Sequence, residues 1–381
     1  MRTVCVVLVN RANYARVKSV LRAVDDHPDL RLRIVGGSSL LLERFGNAAE
    51  GVAADGFAID ARVNFVVEGQ TPATMAVGAG LGIVELATVF ENMAPDVVLV
   101  VADRYDALSA AVAAAYMNIP LAHLQGGEIT GSIDESVRHA ITRLAHLHFP
   151  ATERSAERLI RMGEDPETVH CVGCPSIDVA VAALRTRDGL VRAVNRGYAD
   201  PFDLERPYLL VLQHPVTTRC ESAGDQMAET LAAVETLKMP TLLLTPNVDA
   251  GGRDMAEAVS RERSAGRLAH VRMFSHFSPE NYVRLMAGAA CCVGNSSSAI
   301  REGAFLGTPA VSIGDRQTGR ERGENVLAVD YDRDAIAAAV REQIRRGRYP
   351  GQTLYGDGTA GRKIADILAS TEFRLRKRLM L

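Results

Sequence analysis

The chain has 381 residues, 47% of them hydrophobic and 23% charged, with a formal net charge of −3. Such a length exceeds what one hydrophobic core serves, so two domains are the default, and the near-neutral charge offers no field to gather nucleic acid or an anionic membrane. No apolar run approaches the ~20 residues of a membrane span, and six cysteines over this length do not form a disulfide framework.

Met1-Arg2-Thr3 and the apolar residues Val4 to Val9 are too short and too β-branched for a secretory signal, and read as the first strand of a cytoplasmic protein. Asn10-Arg11-Ala12-Asn13 follows that strand and leads into a helix to about Asp25, after which Leu32 to Val35 is a second strand. The interval from Gly36 to Gln70 is loop-rich, with a short strand near Val63 to Val67. Pro72 opens a long helical pattern to about Asn92, proline being tolerated in a first turn.

The stretch from Asp96 to His139 carries two strand-helix units. Val97 to Val101 gives way to Asp103-Arg104 and an alanine-rich helix, Ala107 to Met117. Leu121 to Leu124 gives way to Gln125-Gly126-Gly127-Glu128 and a helix, Ile133 to Leu144. In parallel α/β sheets ligands bind at the carboxyl ends of the strands, so Asp103, Arg104, Asp106, Glu128, Asp134, Arg138 and His139 are expected to converge. Gly126-Gly127 would let the backbone approach a ligand. The segment His148 to Pro150, a helix to Met162 and a strand Val169 to Val172 complete the half; Cys171 and Cys174 form a lone Cys-x-x-Cys without a partner pair, read as structural.

A boundary is placed between Pro175 and Pro207, where the chain is charged and punctuated by glycine and proline. A second alternating series follows, with strands Tyr208 to Leu212, Thr241 to Leu244, His270 to Met273, Cys291 to Val293 and Ala310 to Ile313. Its helices are Gln226 to Leu237, Asp254 to Arg263, Pro279 to Ala287, Ser297 to Leu306 and Ala335 to Arg345. Alternation throughout predicts doubly wound parallel sheets. A final helical pattern, Ala360 to Leu381, ends in a basic cluster from Arg374 to Arg378, read as solvated charges at a helix C-terminus.

In the second half Gly294-Asn295-Ser296-Ser297-Ser298 sits between a strand and a helix. It combines backbone N–H groups, hydroxyls and the positive end of a helix dipole, an arrangement suited to a diphosphate. Gln213-His214, Asn247-Val248-Asp249 and the run from Gly314 to Asn325, with Arg316, also follow strands. They would supply partners for a base, a ribose and a phosphate. Neither a P-loop lysine motif nor G-x-G-x-x-G is present, which counts against ATPase and simple dinucleotide-binding readings.

The segments NRANY, ADRYDAL, MNIP, GGEITGSIDESVRHAITRLAH, GCPS, LQHPVTT, PNVDAGG, GNSSSAIREGAFLGTP and RQTGRERGENV run from Asn10 to Asn325. Together they resemble the UDP-N-acetylglucosamine 2-epimerases, and specifically the hydrolysing branch of sialic and legionaminic acid synthesis. The resemblance implies two Rossmann-like domains facing a cleft in the GT-B-like manner. Residues 1–175 would form the N-terminal domain, rejoined by the final helix 364–381, and residues 176–363 the UDP-binding domain. It implies a UDP-sugar substrate, no cofactor or metal, no nucleic-acid or membrane partner, and a homodimer or tetramer; helices Ala107 to Met117 and Ile133 to Leu144 are candidate contact faces.

By the same resemblance UDP is eliminated across C1 and C2, and water adds to the resulting glycal to release free N-acetylmannosamine. Asp103 and Asp134 match two catalytic acids, and the third acid's position holds Gln125. An amide cannot exchange a proton as a carboxylate does, so Glu128 is the candidate replacement. His214 is counted with the catalytic groups and would lie near the nucleotide; Gln213, Asn247, Asp249, Ser296, Ser297, Glu302 and Arg316 would lie on the nucleotide side, and Arg11 and Arg104 would approach from the other domain. Ala102, Ala15 and Ser39 replace the family's usual glycine, serine and histidine near the sugar, which opens the identity of the hexosamine. A non-hydrolysing epimerase, a GT-B glycosyltransferase and a nucleotide-sugar-binding protein weakened by Gln125 are the alternatives.

Overall fold

The computed structural model describes residues 1–43, 48–101, 103–186, 189–246 and 249–380. The chain divides into two compact units: Met1–Ile129, Ile133–Val179 and Tyr355–Leu381 form the first, Thr130–Ser132 and Ala180–Leu354 the second.

In the first unit β1 (Arg2–Leu8), β2 (Leu30–Gly37), β3 (Ala61–Val63), β4 (Val97–Val101), β5 (Leu121–Leu124) and β6 (Leu147–Phe149) form a sheet in the order β3-β2-β1-β4-β5-β6. Every pairing is parallel. A parallel sheet covered on both faces needs strands apolar on both sides, and β1 meets this: Val4, Val6 and Leu8 enter one core with α1 (Arg11–Asp25) and α14 (Ala360–Ser370), while Cys5 and Val7 enter the other. That second core contains Leu86 and Phe90 of α3 (Pro72–Met93), alanines of α4 (Tyr105–Tyr116) and Ile141 of α5 (Asp134–Leu144). Helices α2 (Ala48–Ala54), α6 (Glu153–Arg161) and α7 (Pro175–Ala183) complete the list up to the unit boundary.

In the second unit, after α8 (Leu190–Asn195), β7 (Leu209–Leu212), β8 (Thr241–Leu244), β9 (Val271–Phe274), β10 (Cys291–Gly294), β11 (Ala310–Ile313) and β12 (Val326–Val329) are ordered β12-β11-β10-β7-β8-β9. This sheet is also parallel. Its core draws on α9 (Ala223–Leu237), α10 (Gly252–Ser264) and α13 (Arg333–Arg346), while α11 (Pro279–Gly288) and α12 (Ser298–Leu306) flank β10 and β11.

Several expectations need correction. The strand expected at Val63 to Val67 is β3, ending at Val63: Phe65 stays buried, but the ladder has stopped. Val169 to Val172 forms no strand; Val169 makes an isolated bridge to His148. β12, Val326–Val329, is not among the expected strands; it follows directly on the run from Gly314 to Asn325. The last helix ends at Ser370, where the Ser370 and Thr371 hydroxyls turn back on the carbonyls of Asp366 and Ile367. The basic cluster therefore lies beyond the helix, and Lys377 is not solvated: it donates to Thr142 O at 2.8 Å and Ala145 O at 2.6 Å, and pairs with Glu164 at 2.5 Å. α3 is, by length and composition alone, long and apolar enough to cross a membrane, contrary to the expectation; its Gly78, Gly82, Leu86 and Phe90 are buried and it packs on α4. The α4 alanines proposed as an outer contact face, Ala107, Ala110, Ala111, Ala113 and Ala114, are buried within the unit.

Candidate active site

Each sheet reverses its winding once. In the first, strands run outward from β1 to β3 on one side and from β4 to β6 on the other; in the second, from β7 to β9 and from β10 to β12. At such a switch point two neighbouring connections leave in opposite directions and open a crevice at the carboxyl ends. The β1 and β4 ends carry Asn10-Arg11 and Asp103-Arg104. The β7 and β10 ends carry Gln213-His214 and Asn295-Ser296-Ser297. The sequence-predicted residues thus fall into two half-sites, one per unit.

In the first unit Asn10 caps α1 by accepting from Asn13 N at 2.9 Å, and Asn13 Oδ1 accepts from Val9 N at 3.3 Å, which fixes the half-buried Arg11 at the helix start. Asn13 Nδ2 reaches Val101 O at 3.4 Å and ties the β1 end to the β4 end. Asp103 is ion-paired to Arg138 of α5, and Arg138 also donates to Glu128 O at 2.7 Å. Arg104 precedes α4 and lies 3.4 Å from the fully buried Asp106, which also accepts from Ser38 Oγ at 3.1 Å. Asp106 is therefore a structural anion. Asp134 opens α5, where a carboxylate suits the helix dipole. His139 lies 3.8 Å from Glu135, and burial, the nearby Arg138 adding to it, lowers its pKa below 6.5.

Gln125 and Glu128 occupy one turn but face different surroundings. Gln125 has a left-handed φ of 66° and is fully buried, and its Nε2 donates to Cys174 Sγ at 3.0 Å; that sulfur lies 2.9 Å from Ser176 Oγ. Cys174 of the Cys-x-x-Cys is thus a packing and hydrogen-bonding group. Gly127 has φ 77°, and a Cβ there would sit 2.2 Å from Ser155 O, so only glycine fits. Arg158 donates to Gly127 O at 3.1 Å.

In the second unit Gly294 has φ 131° and a Cβ on it would sit 2.1 Å from Leu212 O. The following Asn295 stitches the two switch-point connections: its Oδ1 accepts from His214 N at 2.7 Å and its Nδ2 donates to His214 O at 2.8 Å. Arg316 and Gln317 donate to Asn295 O at 3.3 and 2.8 Å. Ser297 is the N-cap of α12 without a side-chain capping bond of its own, and its Oγ accepts from the buried Arg301 at 3.2 Å. Ser296 Oγ lies 2.8 Å from Ser298 Oγ, which is 2.7 Å from Tyr282 OH. Hydroxyls, a helix N-terminus and the guanidinium of Arg316 thus meet at one strand end, a cradle for a polyanion.

Glu302 follows one turn into α12 and is buried, as are His214 and Asp249. Gln213 turns inward, its Oε1 accepting from Thr230 Oγ1 at 2.5 Å. Asn247 and Ala102 lie outside the described residues. The sequence reading grouped Arg138 with the convergent charges but gave it no role; its place four residues after Asp134, on the same helix face, was the available signal. It gave Asn295 no role either, and nothing local in the sequence announces a stitch to a residue 81 positions away. No cluster of three or more metal-binding side chains occurs among the described residues.

Two Rossmann-like units, each with a polar half-site at its switch point and one with a polyanion cradle, define a GT-B-like α/β protein. Residues 22–369 match the family model described as UDP-N-acetylglucosamine 2-epimerase, and the chain belongs to that family. A UDP-N,N'-diacetylbacillosamine 2-epimerase (hydrolyzing) from Legionella pneumophila is 34% identical over 97% of this chain and 96% of its own. A GDP/UDP-N,N'-diacetylbacillosamine 2-epimerase (hydrolyzing) from Campylobacter jejuni is 30% identical over 86% of this chain and 84% of its own. A UDP-N-acetylglucosamine 2-epimerase from Neisseria meningitidis is 26% identical over 98% and 96%. The crystal structure of the Neisseria meningitidis UDP-GlcNAc 2-epimerase bound to UDP-GlcNAc superimposes with a TM-score of 0.80 at 18% identity, covering 97% of this chain and 100% of that one, a likeness of fold.

Proposed function

We propose that this protein is a hydrolysing 2-epimerase of a UDP-2-acetamido sugar. The observation that carries the proposal is the placement of Asp103 after β4, Glu128 after β5 and Asp134 at the start of α5, all in one unit, together with the serine-rich start of α12 in the other. In this reading one carboxylate removes the C2 proton as the C1–O bond breaks, and the electron pair leaves on the diphosphate. The helix N-terminus, Ser296, Ser297 and Arg316 stabilise that developing charge, the role of preorganised donors. A second carboxyl group returns a proton to the opposite face of C2, and water, losing its proton to a carboxylate, adds at C1. The sum is UDP-sugar plus water giving free 2-epimeric sugar plus UDP.

Glu128 serves as the third acid, since Gln125 is committed to Cys174. His214, Asp249 and Glu302 are assigned to the nucleotide, with Arg11 and Arg104 on the sugar-phosphate side. UDP-N,N'-diacetylbacillosamine is the favoured substrate: the two relatives with that activity in their names are 34% and 30% identical, against 26% for the Neisseria meningitidis UDP-N-acetylglucosamine enzyme. A cytoplasmic homo-oligomer belongs to the same reading, and sedimentation against the 41.0 kDa chain mass tests its assembly.

The test is turnover in deuterated water followed by proton NMR, with UDP-N-acetylglucosamine and UDP-N,N'-diacetylbacillosamine as substrates. Free manno-configured sugar carrying deuterium at C2, with stoichiometric UDP, is the expected result. A product still linked to UDP would make the enzyme non-hydrolysing. Tight binding of UDP without turnover of either sugar would leave a binding protein.

A further inference from the structure

We infer that Arg138 is a positioning residue of this site, one guanidinium holding the Asp103 carboxylate and the Glu128 backbone in register with Asp134. The inference rests on the epimerase reading above, which assigns chemistry to those three acids but none to Arg138. Arg138 is 1% exposed. Burying an arginine is costly unless its charge and donors are met. Here they are met by the groups that matter: one terminal nitrogen pairs with Asp103, at the end of β4, and the other donates to Glu128 O at 2.7 Å, in the turn after β5. The residue itself stands on α5 one turn after Asp134, so its side chain rises from the same helix face. Three elements that share no local sequence are thereby set by a single planar fork.

The Glu128 turn has little freedom apart from this bond. Gly127 is wedged against Ser155 O, and its carbonyl is taken by Arg158 at 3.1 Å. The peptide carrying Glu128 is in turn held by its oxygen from Arg138. Rotation of that peptide would swing the Glu128 carboxyl group, and loss of Arg138 would take from Asp103 the guanidinium that orients it. Misplacing a reacting group by about 1 Å costs on the order of a hundredfold in rate. A lysine cannot reproduce the hold, because its ammonium is a point charge without the two-pronged geometry.

The experiment compares wild type, Arg138→Ala and Arg138→Lys for kcat, KM, melting temperature and direct UDP binding by calorimetry, using the NMR assay substrates. The expected result is a kcat lowered about a hundredfold in R138A and about tenfold in R138K, with KM and the UDP Kd within a factor of two or three. Added guanidinium should restore part of the R138A rate, which a purely structural role would not allow. An unchanged kcat in either variant overturns the inference. So does a loss of rate matched by an equal loss of UDP binding, or one relieved neither by guanidinium nor by the lysine variant. If R138A does not fold, R138K decides: a lower kcat with UDP binding intact upholds the inference, an unchanged kcat overturns it. A wild type that turns over neither sugar overturns the functional reading and this inference together, whereas active wild type with active R138A removes the inference alone.

Discussion

Replacing Gln125 by glutamate places a carboxylate where the Gln125 amide donates to Cys174 Sγ. An unmet buried polar contact costs about 1–3 kcal/mol, so Gln125→Glu is expected to melt several degrees lower and to gain no activity, as thermal unfolding and the NMR assay would show. A rise in kcat would instead return the third acid to that position. Glu128→Gln is the complementary test: loss of a general acid or base at this step should lower kcat at least a hundredfold while UDP binding stays as in wild type. Gly294→Ala addresses the other half-site. With φ at 131° and Leu212 O 2.1 Å from the new Cβ, the backbone alone would cost about 1–3 kcal/mol, and the stitch from Asn295 to His214 would be displaced. Both melting temperature and UDP affinity should fall.

Among the elements, strands buried on both faces were the most legible, because a run such as Val97 to Val101 leaves little room for another reading. The residues just past the strand ends followed from them. What the sequence withheld was whatever depends on partners far along the chain. Gln125 and Glu128 stand three positions apart, and nothing near them in the sequence tells that Cys174 comes to lie beside the first. The tail is the same kind of case: Leu375 and Leu379 continue the helical spacing of α14, yet the chain leaves the helix and Lys377 finds the last carbonyls of α5 and the Glu164 carboxylate. Lys377 caps a helix that is not its own, donating to Thr142 O beside the Ala145 amide and to Ala145 O just past the last turn. Burial draws its pKa down to about 8 against the pull of Glu164. Lys377→Ala should therefore cost about 1–3 kcal/mol and loosen the backbone around Arg374, Arg376 and Arg378, which are already exposed, so that trypsin cuts there more readily. Limited proteolysis with intact-mass detection would find tail cleavage several times faster than in wild type, and an unchanged rate would mean the tail is held by other contacts.

At the scale of the molecule, four histidines with lowered pKa values share one unit. His139, His146, His148 and His170 are all drawn below the ordinary 6.5, burial being the largest cause in each, and all four lie in the first unit. His148 Nε2 lies 3.0 Å from Glu164 Oε2, and Glu164 is itself held below 4.5: burial works to raise it, and hydrogen bonds from His148 and Lys377 overcome that. The sign of the linkage is the same for both kinds of group. A histidine whose folded pKa is depressed binds its proton more readily in the unfolded chain, so stability falls as pH drops below 6.5 and goes on falling until the folded pKa is passed. The Glu164 contribution is present above 4.5 and is lost as pH falls through its lower folded value. The first unit should thus loosen on mild acidification before Glu164 titrates. Hydrogen exchange by mass spectrometry at pH 7 and pH 5.5, corrected for the intrinsic rate, is expected to show lost protection in β5, β6 and α5, with less change in β7, β8 and α9. In His148→Gln, which cannot take up the proton in either state, the loss in β6 should shrink; equal loss in variant and wild type would assign the acid sensitivity to the other three histidines.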